Sequence, residues 1–163
     1  MKLILHVFIL FLLTGTTASC QKKLQSIKIS YLQPYCGGAR PTPEMEAEAQ
    51  KPKPYAHKTV IIVSENGKVD SVKSNEAGII KKKLIAGKYK LYESWRYYKS
   101  TQTGDPLSEF DKSCLEEEWK RYFMEVTVTK SKLTQKSDNP IILNCSWDAP
   151  CMLETHKVPK RPE

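Results

Sequence analysis

The stretch Lys58–Glu93, KTVIIVSENGKVDSVKSNEAGIIKKKLIAGKYKLYE, decides how the chain folds. Lys58–Val63 is crowded with β-branched residues, which suit a pleated, half-buried surface. Asn66-Gly67 follows, a dipeptide that accepts the positive φ angles of a tight hairpin turn. Val69–Lys73 answers as the partner strand, Asn75–Gly78 turns, and Ile79–Leu84 is the next strand. Ala86–Lys88 turns again, and Tyr89–Glu93 resumes the alternation. Short strands separated by turns at this spacing predict an antiparallel sandwich or barrel.

On the amino-terminal side, Ser26–Tyr31 alternates polar and apolar residues as a half-buried strand does. Pro34–Gly38 breaks it, and Pro41, Pro43, Pro52 and Pro54 argue against a strand between Ala39 and Tyr55. Thr42-Pro43 is suited to cap a short helix over Glu44–Gln50, and Lys51–Pro54 forces an extended exit. On the other side, Trp95–Tyr98 is aromatic and Thr101–Pro106 reads as a loop. Leu107–Lys120 has helical character, with Leu107, Phe110, Cys114, Leu115 and Trp119 near one face. Phe123–Thr129 and Ile141–Asn144 read as strands. The pattern predicts a mainly β domain over 26–155 with one or two short helical insertions, and a loose tail over 156–163 that nothing apolar ties down.

The first nineteen residues read as a secretory signal: one cation at Lys2, an eleven-residue run Leu3–Leu13 that is apolar except for His6, then Thr14–Ser19. At about 1.5 Å per helical residue, that run is too short for a hydrocarbon core of about 30 Å. Thr17-Ala18-Ser19-Cys20 resembles a bacterial lipobox, with Thr17 where that motif prefers Leu. The resemblance implies a diacylglycerol on Cys20, with 20–25 as a tether and the protein facing the periplasm or cell surface. The alternative is an ordinary cut near Ala18 or Ser19 that leaves a soluble secreted protein. Removing 1–19 leaves 144 residues, enough for one domain, and lowers the formal net charge from +8 to +7.

That charge is spread out: Lys81-Lys82-Lys83 is the longest run of cations, and no arginine cluster accompanies the aromatics. A surface that reads bases needs both, so no nucleic-acid partner is expected. With Cys20 acylated, Cys36, Cys114, Cys145 and Cys151 remain, an even number in an oxidising compartment, which points to two disulfides. The rival is a metal handler using His57, His156, Met152 and thiols, although no C-x-x-C pair is present. For an enzyme, the chain lacks G-x-S-x-G, H-E-x-x-H and phosphate-loop motifs, and consecutive helical residues Glu116–Glu118 splay apart. The expectation is a non-catalytic module without a cofactor. Tyr92, Trp95, Tyr97 and Tyr98 are candidates for a contact face toward a protein or glycan, since Tyr and Trp favour such surfaces; the plainer reading makes them core and sheet surface.

One segment resembles a known family. Asp70–Gly78 through Leu84–Leu91 is similar to the carboxypeptidase regulatory-like, or prealbumin-like (transthyretin-like), domain, in which a D-x-x-G turn and a P-G-x-Y turn flank an apolar strand. Gly78, Gly87 and Tyr89 match; Asn75 stands where the family often has Asp, and Ala86 where it often has Pro. The resemblance implies an antiparallel seven-stranded β-sandwich acting as a binding or add-on module, without peptidase activity. It further implies that the first strand runs beside the last in parallel. Together with a last strand antiparallel to 123–129, this would join Cys36 and Cys114 each to one of Cys145 and Cys151. A local Cys145–Cys151 bridge with Cys36–Cys114 is the alternative.

Overall fold

In the computed structural model, residues 22–37, 40–130, 132–137, 141–153 and 155 are described. The signal segment, Cys20, His156 and the tail lie outside them.

The hairpin region forms β4 (Thr59–Ser64), β5 (Val69–Lys73), β6 (Ile79–Leu84) and β7 (Gly87–Glu93). It is not a simple meander. β4 pairs with both β5 and β7, whereas β6 leaves that sheet and pairs with β1 (Lys23–Lys28). Across β7 the sheet continues antiparallel through β8 (Met124–Val128) to β9 (Leu133–Lys136), giving the order β5-β4-β7-β8-β9. The chain after β1 runs on as β2 (Ser30–Leu32), which pairs antiparallel with β3 (Lys53–Pro54) and parallel with β10 (Ile141–Ile142).

Alternation explains the layering. Val60, Ile62, Tyr89, Leu91, Val126 and Val128 from the five-stranded sheet share one buried cluster with Ile27, Ile80, Leu84 and Ile141 from the two smaller sheets and with Ile29 between β1 and β2. Successive strand side chains point to opposite faces, so each strand commits one set to this shared core. The result is a mainly β, sandwich-like arrangement.

Ile29 is the joint between β1 and β2. Its N–H donates to the Gly78 carbonyl at 2.9 Å, and its own carbonyl accepts from the Tyr55 N–H at 3.1 Å. Gly78 adopts φ +71°, and a Cβ there would overlap the Ile29 carbonyl oxygen and stand 2.8 Å from the Tyr55 nitrogen. Only glycine fits where these three segments meet.

The described residues also hold three short α-helices, α1 (Pro43–Ala49), α2 (Ser94–Tyr97) and α3 (Lys112–Glu118), and 3₁₀ turns at Leu107–Glu109 and Ser146–Asp148. Thr42 caps α1, accepting from the Met45 N–H, with Pro43 in the first turn. The helix expected over 107–120 is broken: a 3₁₀ turn covers Leu107–Glu109, Phe110 bridges to Met152 in extended form, and Asp111 caps α3 by accepting from the Cys114 N–H at 2.8 Å. The short polar side chain of Asp111 offers the backbone a helix start there, which outcompetes a continuous helix. Phe110, Leu115, Ala149 and Met152 form a second, small core.

Other boundaries differ from expectation. β1 begins at Lys23, so Lys23–Gln25 of the expected tether are strand residues, held by register with Lys82, Lys83 and Leu84. Lys53–Pro54 does form a strand, at a sheet edge where the missing proline N–H is tolerated. Trp95–Tyr97, which the sequence marks only as aromatic, lie in α2. β10 does not pair with β8; β9, a polar strand without a strong pattern, takes that place.

The cysteines pair as Cys36–Cys145 and Cys114–Cys151. The parallel β2–β10 pairing carries Cys36 and Cys145 out of neighbouring strands toward the same end. Cys114 reaches Cys151 by another route: the extended contact of Phe110 with Met152, reinforced by the Asp111 N–H donating to the Cys151 carbonyl at 2.8 Å.

Candidate functional site

Tyr92 follows the core residue Leu91 on β7 and so projects from the opposite, outer face of the five-stranded sheet. There its ring meets those of Tyr97 and Tyr122, each at 6.2 Å between centroids, and Tyr97 in turn meets Tyr98 at 5.4 Å. All three contacts are edge-to-face, the geometry that the ring quadrupole favours. Lys90, two residues before Tyr92 on the same face, holds its ammonium 4.8 Å from the Tyr122 ring centre. Tyr98 ends the row at 63% exposure. Three of the four expected aromatics therefore share one surface.

Trp95 does not join them. It is half-buried and stacks against the Arg96 guanidinium, 4.6 Å from its ring centre. Tyr122 belongs to the row but carries no pattern of its own, since it reaches Tyr92 from the far end of the α3–β8 connection. Trp147, between Cys145 and Cys151 in the chain, is 40% exposed.

Beneath α2 lies a charge network. Glu93 shares the inward face of β7 with Tyr89 and Leu91 and is 1% exposed. Arg96 donates from Nε to Glu93 at 3.0 Å, and its other end meets the Glu118 carboxylate at 2.8 Å and the Glu118 carbonyl at 3.1 Å. Arg121 closes on the same Glu118 at 2.7 Å. One guanidinium thus clamps α2 to the end of α3, the planar-fork role to which arginine is suited. Burial pushes the Glu93 carboxyl above the usual range, opposed by Arg96 and by the nearby Trp95 N–H. Glu93 Oε1 and Trp95 Nε1 remain buried without completing a hydrogen bond among the described residues. Burial, and then Glu93, also raise the Tyr55 hydroxyl.

At the opposite end of the strands a cleft of about 680 Å³ opens between the sheets, where the β4–β5 turn, the β6–β7 turn and the start of β1 converge. Lys22, Lys68, Lys81, Lys82, Lys83 and Lys88 line it, against Glu65 and Asp70. Lys82 pairs with Asp70 at 3.0 Å.

Among the described residues, no group of three or more His, Cys, Asp or Glu side chains is placed to hold a metal ion. No protein family, no curated protein and no solved structure matches the chain.

Proposed function

We propose that this chain is a non-catalytic binding module of prealbumin-like architecture that works outside the cytosol, held at a membrane by lipid on Cys20. Its contact surface is the tyrosine row on the outer sheet face, turned toward a protein or glycan. The observation that carries the reading is the pairing of Cys36 with Cys145 and Cys114 with Cys151, which uses four of the five cysteines. Such bridges persist in oxidising compartments. The parallel β2–β10 pairing and Gly78 at φ +71° support the architecture. The clamp of Arg96 on Glu93 and Glu118 supports a structural role for those carboxylates rather than a catalytic one.

Mass spectrometry of the mature amino terminus tests the anchor: a diacylglyceryl adduct on Cys20 is expected, and an unmodified terminus would refute it. Thiol titration of the unfolded, unreduced protein should find no free sulfhydryl. The contact surface is tested on an array of glycans and envelope proteins with the wild type and the Tyr97→Ala/Tyr98→Ala variant. A ligand retained equally by both would remove the tyrosine row from the function.

A further inference from the structure

The cleft is part of a larger cationic end. Strand register places the β4–β5, β6–β7 and β8–β9 turns side by side, because Ser64 pairs with Tyr89 and Gly87 with Val128. β1 begins there too, with Lys23 opposite Leu84. To the cleft lysines this adds Lys23, Lys130 and Lys132, all exposed. Among the described residues, Lys82 alone of these lysines has an ion-pair partner. The sequence concealed this concentration, since the lysines come from four separate turns and strand ends, and only Lys22-Lys23 and Lys81-Lys82-Lys83 are contiguous.

Apolar surface accompanies the charge. Leu24, on the cleft rim and opposite Lys83 in register, is 59% exposed, and Val69 beside Lys68 is 42% exposed. Two exposed aliphatic side chains flanked by cations, Leu24 opposite Lys83 and Val69 next to Lys68, match the chemistry of a bilayer surface, where phosphates lie outside and acyl chains beneath. The far end of the strands is mixed in charge instead: Glu93, Glu109, Asp111 and Glu116–Glu118 are interspersed there with Lys58, Lys73, Arg96, Lys99, Lys112, Lys120 and Arg121.

We infer that the lysine-bearing end of the sandwich docks onto an anionic phospholipid surface, with Leu24 entering the interface. Orientation links this to the proposed anchor. Cys20 stands two residues before Lys22, within about 7 Å by chain reach, so a lipid there would hold this end against the membrane. The electrostatic attraction itself does not depend on that lipid.

The test is vesicle co-sedimentation of the full chain with phosphatidylcholine alone and with an equal mixture of phosphatidylcholine and phosphatidylglycerol. Binding to neutral vesicles reports an anchor; the excess on anionic vesicles reports the lysines, so the two readings fail separately. The variant Lys68→Gln/Lys83→Gln/Lys88→Gln/Lys130→Gln should cut that excess by at least about a hundred-fold at low salt, from roughly five-fold per lysine near the surface. Raising salt from about 0.1 to 1 M, which shortens the screening length from about 10 to 3 Å, should abolish it. The control Lys58→Gln/Lys73→Gln/Lys99→Gln/Lys112→Gln removes the same charge elsewhere and should retain most of the excess. All of the first set are exposed, and an unchanged thermal transition verifies folding. No excess on anionic vesicles, or equal loss in both variants, overturns the inference. Competition by millimolar pyrophosphate beyond its effect on ionic strength would also overturn it, making the cleft a small-anion pocket.

Discussion

Gly67 and Gly78 form a matched pair for measuring what the junction of β1, β2 and β3 contributes. Both hold left-handed backbone, at φ +80° and +71°. A Cβ at Gly67 meets nothing within 4 Å, whereas at Gly78 it overlaps the Ile29 carbonyl and crowds the Tyr55 nitrogen. Gly67→Ala should therefore carry only the backbone term, about 1 kcal/mol. Gly78→Ala carries that term and also drives a methyl into the bond from the Tyr55 N–H to the Ile29 carbonyl, beside the bond from the Ile29 N–H to Gly78. Ile29 is fully buried and Tyr55 is 5% exposed, so water does not replace lost partners there. Leaving the two buried partners of the Tyr55–Ile29 bond unsatisfied costs about 1–3 kcal/mol each, which brings the total to roughly 3–7 kcal/mol. That is a large share of a typical domain stability of about 5–15 kcal/mol. Urea unfolding with the disulfides intact measures both, provided the slopes agree between variants. Losses that differ by less than about 1 kcal/mol would refute the claim that Gly78 is held by close approach rather than by its turn alone.

Two further outcomes follow from the cross-links and the buried carboxylate. The Cys36–Cys145 bridge spans a separation of 109 residues and Cys114–Cys151 one of 37. In the chain-entropy model, Cys36→Ala/Cys145→Ala should cost about 5 kcal/mol and Cys114→Ala/Cys151→Ala about 4; a clearly reversed order in urea unfolding would show that loop length is not what governs them. Glu93 has its folded pKa raised by burial, so the native protein keeps this proton to higher pH than the unfolded chain does. The stability it contributes is complete below the ordinary glutamate value and is lost as pH rises through the folded value. Glu93→Gln cannot ionise, so its transition temperature relative to the wild type should climb as pH rises from about 4.5, the ordinary glutamate value. A relative fall would mean that the Arg96 pair, not desolvation, dominates.

The parts legible in the sequence were those that local rules decide. β5 and β6 lie where alternation and turn residues placed them, and α1 starts at its Thr42-Pro43 signal. β3 and β9 were not legible. A two-residue strand containing Pro54 and the polar run Leu133–Lys136 become strands because a neighbouring edge offers them hydrogen bonds, which no local pattern records. The candidate surface divided in the same way. Tyr92, Tyr97 and Tyr98 lie close together along the chain, but Tyr122 joins them only through the fold. Glu93 reads as the polar end of a strand; its burial depends on α2 and α3 closing over it through Arg96.

By itself the sequence determined a run of short antiparallel strands, cysteines enough for two cross-links, and where the chain must turn. These depend on alternation, β-branching and glycine dihedrals, all of which act within a few residues. Only the tertiary structure decided that β6 crosses to the second layer, that β2 and β10 run parallel, which cysteines meet, and that lysines from four distant segments gather at one end. Those outcomes depend on which apolar faces bury each other across separations of tens of residues. Such a choice is made by the packing of the whole core and by no segment of it.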